Sequence, residues 1–121
     1  MLVTARNFVP MSTDAMLILT TLGSEDEAAA FIRALLDRRL VACGTILPGA
    51  RSLYRWDEQT ADEREAVVLL KTASDRLGEL GEAFTELHPY KVPELLALPV
   101  AAGSEAYLTW IARETAPASG G

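Results

Sequence analysis

The sequence predicts an α+β domain of the ferredoxin-like split βαβ kind: the order β-α-β-β-α-β plus a C-terminal helix, around an antiparallel sheet. Two observations carry that prediction. Amphipathic helix patterns at 24–39 and 74–87 each follow an apolar strand pattern and precede another. Between them, a polar stretch at 57–64 separates two strand patterns with no helix, which is the mark of a hairpin. The usual strand order of this arrangement is 4-1-3-2, and the apolar character of the expected central strands, 16–21 and 66–70, fits it.

Residues 1–14 read as a flexible leader, 15–114 as a single domain and 115–121 as a flexible tail. Met16-Leu17-Ile18-Leu19-Thr20-Thr21 is a short apolar run ended by Leu22-Gly23, a buried first strand. Ser24 with Glu27 three residues on forms a capping box, and Glu25, Asp26 and Glu27 suit the positive end of a helix dipole. Ala28, Phe31, Ile32, Leu35 and Leu36 then share one helical face, and Arg38 and Arg39 stand at the C-terminal end. Residues 40–47 are apolar and rich in β-formers, with Pro48-Gly49 as a bend or bulge. Ser52, Tyr54 and Trp56 alternate with Arg51, Leu53 and Arg55, so this second strand has an aromatic face. After the polar turn, 65–72 is a nearly continuous apolar third strand. Ser74 is the expected N-cap of a second helix with Leu77, Leu80, Phe84 and Leu87 on one stripe, ending at His88-Pro89. A fourth strand is expected at 94–100, and Gly103-Ser104 opens the last helix, with Tyr107, Leu108 and Ile111 on its apolar side.

Composition narrows function. Eleven basic against seventeen acidic residues give a net charge of −6, which disfavours a nucleic-acid backbone as partner. No apolar run reaches the roughly 18 residues that span a bilayer, and the first fourteen residues do not read as a secretory signal, so a cytoplasmic protein without membrane contact is expected. Cys43 is the only cysteine, which excludes an intrachain disulfide and a paired-cysteine metal site. There is no phosphate-binding glycine motif, no zinc spacing and no nucleophile signature, and no catalytic residue is assigned.

The topology converts this order into proximity. One end of the sheet collects Thr20 and Thr21, Ser24, Tyr54 and Trp56, and the stiff segment His88-Pro89-Tyr90-Lys91-Val92-Pro93-Glu94; Lys71 and Cys43 fall towards the other end. Two readings of the first cluster stand side by side. In one, His88, Glu94 and Tyr90 hold a metal or small anion beside the first helix N-terminus. In the other, His88 caps the second helix, Tyr90 packs under the loop and Glu94 meets a surface cation. With both helices on one side, the opposite sheet face and the long second strand are left uncovered, and self-association is the economical answer.

The series Leu19-Thr20-Thr21, Arg39-Leu40-Val41-Ala42-Cys43, Ile46-Leu47-Pro48-Gly49, Ser52-Leu53-Tyr54-Arg55-Trp56, Leu70-Lys71-Thr72, Leu87-His88-Pro89-Tyr90, Val92-Pro93-Glu94 and Leu98-Pro99-Val100 resembles the CutA-type divalent-cation-tolerance proteins over residues 16–114. The resemblance implies a ferredoxin-like protomer in a homotrimer whose sheets face one another, with a role in tolerance of divalent cations, copper in particular. It implies a metal ligand at His88, and a hard cation could use Glu94 with nearby carboxylates. The family's proposed copper ligation also uses positions that hold Thr20 and Leu87 here. It further implies a pocket or interface near the inter-subunit clefts with Trp56, Lys71 and Tyr90. Trimeric PII-type signalling proteins share the architecture, so a regulatory module binding a small anion or nucleotide between subunits is the alternative. A structural or adaptor trimer without ligand is the third reading.

Overall fold

The computed structural model describes residues 8–10 and 14–117. In chain order its elements are β1 (Phe8–Pro10), β2 (Ala15–Leu22), α1 (Glu25–Asp37), β3 (Cys43–Trp56), β4 (Gln59–Ala73), a 3-10 turn (Ser74–Arg76), α2 (Leu77–Leu87), β5 (Leu96–Pro99), β6 (Ala102–Ser104) and α3 (Glu105–Thr115). Strands β3, β4, β2 and β5 lie in that order in one antiparallel sheet, which is the predicted 4-1-3-2 arrangement.

Alternation in the central strands decides which face is covered. Ile18, Thr20 and Leu22 of β2 pair with Leu70, Val68 and Ala66 of β4, and all six are buried. They form the core with Ala28, Phe31, Ile32 and Leu35 of α1 and Leu80, Ala83 and Phe84 of α2. Helix α1 starts as its capping box dictates, with Ser24 Oγ accepting the Glu27 N–H at 3.1 Å. Sheet and helix approach closely at Gly44, where a Cβ would lie 2.8 Å from the Ile32 side chain. The buried Thr72 hydroxyl donates to the Leu40 carbonyl at 2.6 Å, so it is satisfied within the core.

The opposite face is open over most of its area. Its register rows read Leu47–Val67–Thr21 and Thr45–Leu69–Leu19–Leu96, and both Leu47 and Leu96 are about half exposed, at 49% and 54%. The third row, Cys43–Lys71–Leu17–Leu98, lies at the end where α3 packs. Beyond the Leu22–Ala66 pair β2 stops, while β3 and β4 continue as a two-stranded arm from Ala50–Glu65 to Trp56–Gln59. The bend between sheet and arm is the expected bulge: β3 advances three residues, Leu47 to Ala50, while β4 advances two, and Gly49 takes φ +70°.

Several boundaries differ from those predicted. The turn of the hairpin is Asp57-Glu58 alone, both at positive φ, and the rest of the polar stretch belongs to β4. An arm wet on both faces imposes no apolar alternation on residues 59–64, so this half of it reads as a loop, whereas 51–56 is the strand expected. Ser74 does not cap α2 but begins the 3-10 turn leading into it. Strand β3 begins at Cys43, after buried Leu40–Ala42, and β5 begins at Leu96. Within the expected leader, Phe8–Pro10 pairs with β6, a strand not predicted either; the rest of the leader up to residue 13, and the tail from 118, lie outside the described residues. Among the described residues no helix is long and apolar enough to cross a membrane.

Candidate functional site

His88 is placed by the end of α2. Its N–H closes the helix on the Phe84 carbonyl at 3.0 Å, and Pro89 prevents continuation. The imidazole turns inward between β2 and the helices and is buried. Nε2 lies 2.9 Å from the Thr21 carbonyl oxygen and 3.4 Å from Thr20 Oγ1, while Nδ1 lies 3.1 Å from the Tyr90 backbone N. A carbonyl can only accept and an amide only donate, so Nε2 carries the proton and Nδ1 the lone pair. The ring stacks on Phe84 at 5.7 Å and meets the edges of Phe31 and Tyr90 at 5.2 and 4.9 Å.

This environment favours the neutral ring. Burial pushes the His88 pKa below its ordinary value, against the opposing pull of the Thr21 carbonyl and the carboxylates of Glu27 and Glu65. Tyr90 donates its hydroxyl to Glu65 Oε2 at 2.8 Å. Burial first, and then the Glu65 hydrogen bond and the charges of Glu65, Glu27 and Glu63, raise the Tyr90 pKa well above the usual phenol value. Glu65 is itself buried, at the junction of sheet and arm.

The remaining predicted residues are distributed. Glu94 is exposed and has no hydrogen-bond or ion-pair partner among the described residues. Trp56 stands at the arm tip, 56% exposed, next to the turn. Tyr54 donates to Glu63 on the arm at 3.0 Å. Lys71 lies at the opposite end of the sheet, as expected, beside Cys43. Its Nζ is 3.1 Å from Tyr107 Oη and 5.4 Å from that ring's centroid, and Cys43 Sγ is 3.8 Å from the same hydroxyl. The Tyr107 hydrogen bond raises the Lys71 pKa, against partial burial. The chain therefore brings His88, Tyr90 and Thr20 together, and keeps Trp56 and Lys71 apart from them.

The donor set can be tested against a metal directly. Neither His88 nitrogen presents a free lone pair, because Nδ1 accepts from Tyr90 and Nε2 donates to Thr21. Thr20 supplies a neutral hydroxyl, a weak ligand for a soft cation. Among the described residues no group of three or more His, Cys, Asp or Glu is placed to hold a metal ion. As bonded here, these residues do not fit a copper centre within the single chain. Sequence reasoning missed Glu65 and Tyr107. In the sequence Tyr107 signals only an apolar helix face, and Glu65 only the start of a strand.

Comparison with known proteins places this arrangement. Residues 16–114 match the family described as CutA1 divalent ion tolerance protein. The chain is 41% identical over 98 residues to the divalent-cation tolerance protein CutA of Thermus thermophilus, covering 81% of this chain and 95% of that one. Among solved structures, CutA from Synechococcus elongatus superposes with a TM-score of 0.85 at 34% identity, covering 90% of this chain and 96% of its own. A structure titled periplasmic divalent cation tolerance protein CutA from Archaeoglobus fulgidus gives a TM-score of 0.81 at 27% identity, covering 84% and 99%.

Proposed function

Because the chain belongs to the CutA1 divalent ion tolerance protein family, we propose that it acts in the response to divalent cations, copper included, as a homotrimer that binds metal weakly. The observation that carries the assembly is the open sheet face, where Leu47, Leu96 and Leu98 stay between 45% and 54% exposed beside an arm whose Leu53 and Trp56 are more exposed still. A face of this kind, bordered by edge strands, calls for a cover, and copies of the same chain supply one.

In this reading Glu94 would be the readiest ligand, since that carboxylate is exposed and unpartnered among the described residues. His88 would contribute a lone pair only by giving up its bond to Tyr90 or Thr21, which is a reason for low affinity. Calorimetric titration of Cu²⁺ into the wild type, His88→Ala and Glu94→Gln tests this. Weaker binding in either variant supports it, and identical isotherms for all three reject it. A cytoplasmic setting belongs to the same proposal, with cell fractionation as its check.

A second reading is favoured by one observation, the cationic Lys71 held by Tyr107 at the margin of the open face. A regulatory trimer that closes this face around a small anion or nucleotide would use that charge. Thermal shift with nucleotides and inorganic phosphate separates the two: anion-dependent stabilisation that survives a chelator and disappears in Lys71→Met belongs to the second reading alone.

A further inference from the structure

Strand β1 lies outside residues 16–114, the stretch the family matches, yet it is tied to the start of α3. Its register with β6 is Phe8↔Ser104, Val9↔Gly103 and Pro10↔Ala102. The main-sheet ladder of β2 and β5 ends nearby at Met16↔Pro99, and the Val100 N–H bonds the Ala15 carbonyl at 3.1 Å. From that last pair, the first β1–β6 pair lies three residues on along the C-terminal chain and six residues back along the N-terminal one. The short ladder therefore resumes the β2–β5 pairing after three extra residues on one side.

Strand β6 passes directly into α3. Ser104 ends β6 and also caps α3, its Oγ accepting the Tyr107 N–H at 3.3 Å. Gly103 sits so close to α3 that a Cβ there would lie 3.2 Å from the Leu108 side chain. Tyr107 is the residue that meets Lys71 and Cys43. The far end of α3 is held separately: Arg39, in the left-handed conformation at φ 57°, donates to the carbonyls of Arg113 and Ala116, and Ile111 is buried.

We infer that β1 is a strap: by pairing with β6 it holds down the first turn of α3, keeps Tyr107 over Cys43 and Lys71, and on release opens that corner while the rest of the domain stays folded. A three-residue, two-stranded ladder is among the weakest units of a fold, so its opening costs far less than global unfolding. The Arg39 latch confines the opening to one end of the helix.

Hydrogen exchange on the full-length protein tests this with Phe8→Pro and Val9→Pro. Antiparallel pairs alternate between bonded and non-bonded, so one of the two variants removes a ladder N–H. In that variant the amides of Tyr107, capped by Ser104, and of Leu108 should exchange about tenfold faster, while Ile111–Thr115 and the β2–β4 ladder keep their protection. Cys43 should then react faster with an aromatic disulfide reagent. Unchanged exchange at Tyr107 and Leu108 in both variants overturns the inference. Loss of protection throughout β2 and β4 overturns it too, because β1 would then be part of the global fold rather than a strap.

Discussion

His88 and Tyr90 are held by different chemistry, and single substitutions separate the two. The imidazole is buried neutral with its pKa pushed down by desolvation, so in the pH range below the free-histidine pKa of about 6.5 the unfolded chain takes up a proton that the folded chain refuses. The stability contributed by the neutral ring is therefore fully present above pH 6.5, is lost as pH falls below it, and levels off once the folded pKa is passed. Denaturant midpoints from pH 8 to pH 5 should show this loss in the wild type, and His88→Gln should flatten it. Tyr90→Phe probes the other side of the pair. It leaves the backbone N–H to Nδ1 intact but strips the buried Glu65 of its hydroxyl donor, at a cost of about 1 to 2 kcal/mol. An unfolding free energy unchanged in Tyr90→Phe would show that water replaces the phenol. At this scale the sequence could bring His88 beside Thr20, because strand order alone does that. It could not supply the Glu65 bond, which depends on how the bulge turns β4 at the root of the arm.

The β4 half of the arm is where sequence and structure diverge most, for a reason visible in its residues. Ser52–Glu63 and Leu53–Asp62 are both cross-strand pairs with all four side chains at least partly exposed, and from Gln59 to Arg64 the only apolar residue is Ala61, so the β4 half shows no period of two while Tyr54 and Trp56 still mark β3. What fastens the arm instead is polar: Arg51 grips Asp62 with two hydrogen bonds, at 2.9 and 2.7 Å, and Tyr54 bonds Glu63. Asp57 and Glu58 form its turn at φ 50° and 62°, the geometry for which Asn-Gly is the favoured pair. Glu58 has a Cβ in the left-handed region, so Glu58→Gly should stabilise the hairpin by up to about 1 kcal/mol once the added freedom of the unfolded chain is offset. Equilibrium unfolding at neutral pH reads this directly, and a destabilised Glu58→Gly would mean the strain is relieved by contacts of the turn. By contrast α1 was legible almost to the residue, since its cap, its acidic first turn and its buried stripe all report the same helix.

At the scale of the whole molecule, the two sheet faces carry opposite consequences for the same type of substitution. Ile18 and Val68 face the helices with no exposed surface, so truncation there removes core whatever the assembly. Leu96 faces away from them at 54% exposure, paired only with Leu19 across the ladder. In a lone protomer Leu96→Asp trades an exposed leucine for a solvated carboxylate and changes stability little. In a trimer with its open faces turned inward, the same change buries an unpaired charge in every copy and should dissociate the assembly. Light scattering decides between the two states: wild type should weigh three times the 13.1 kDa chain, and Leu96→Asp one chain. Thermal midpoints supply an independent check, because unfolding of an assembled species shifts with protein concentration and unfolding of a monomer does not. A wild type at one chain's mass, with a midpoint insensitive to concentration, would require some other partner for the row from Leu69 through Leu19 to Leu96. The strap of β1 on β6 would be undisturbed by that outcome, since its pairing and the cap at Ser104 lie within a single chain.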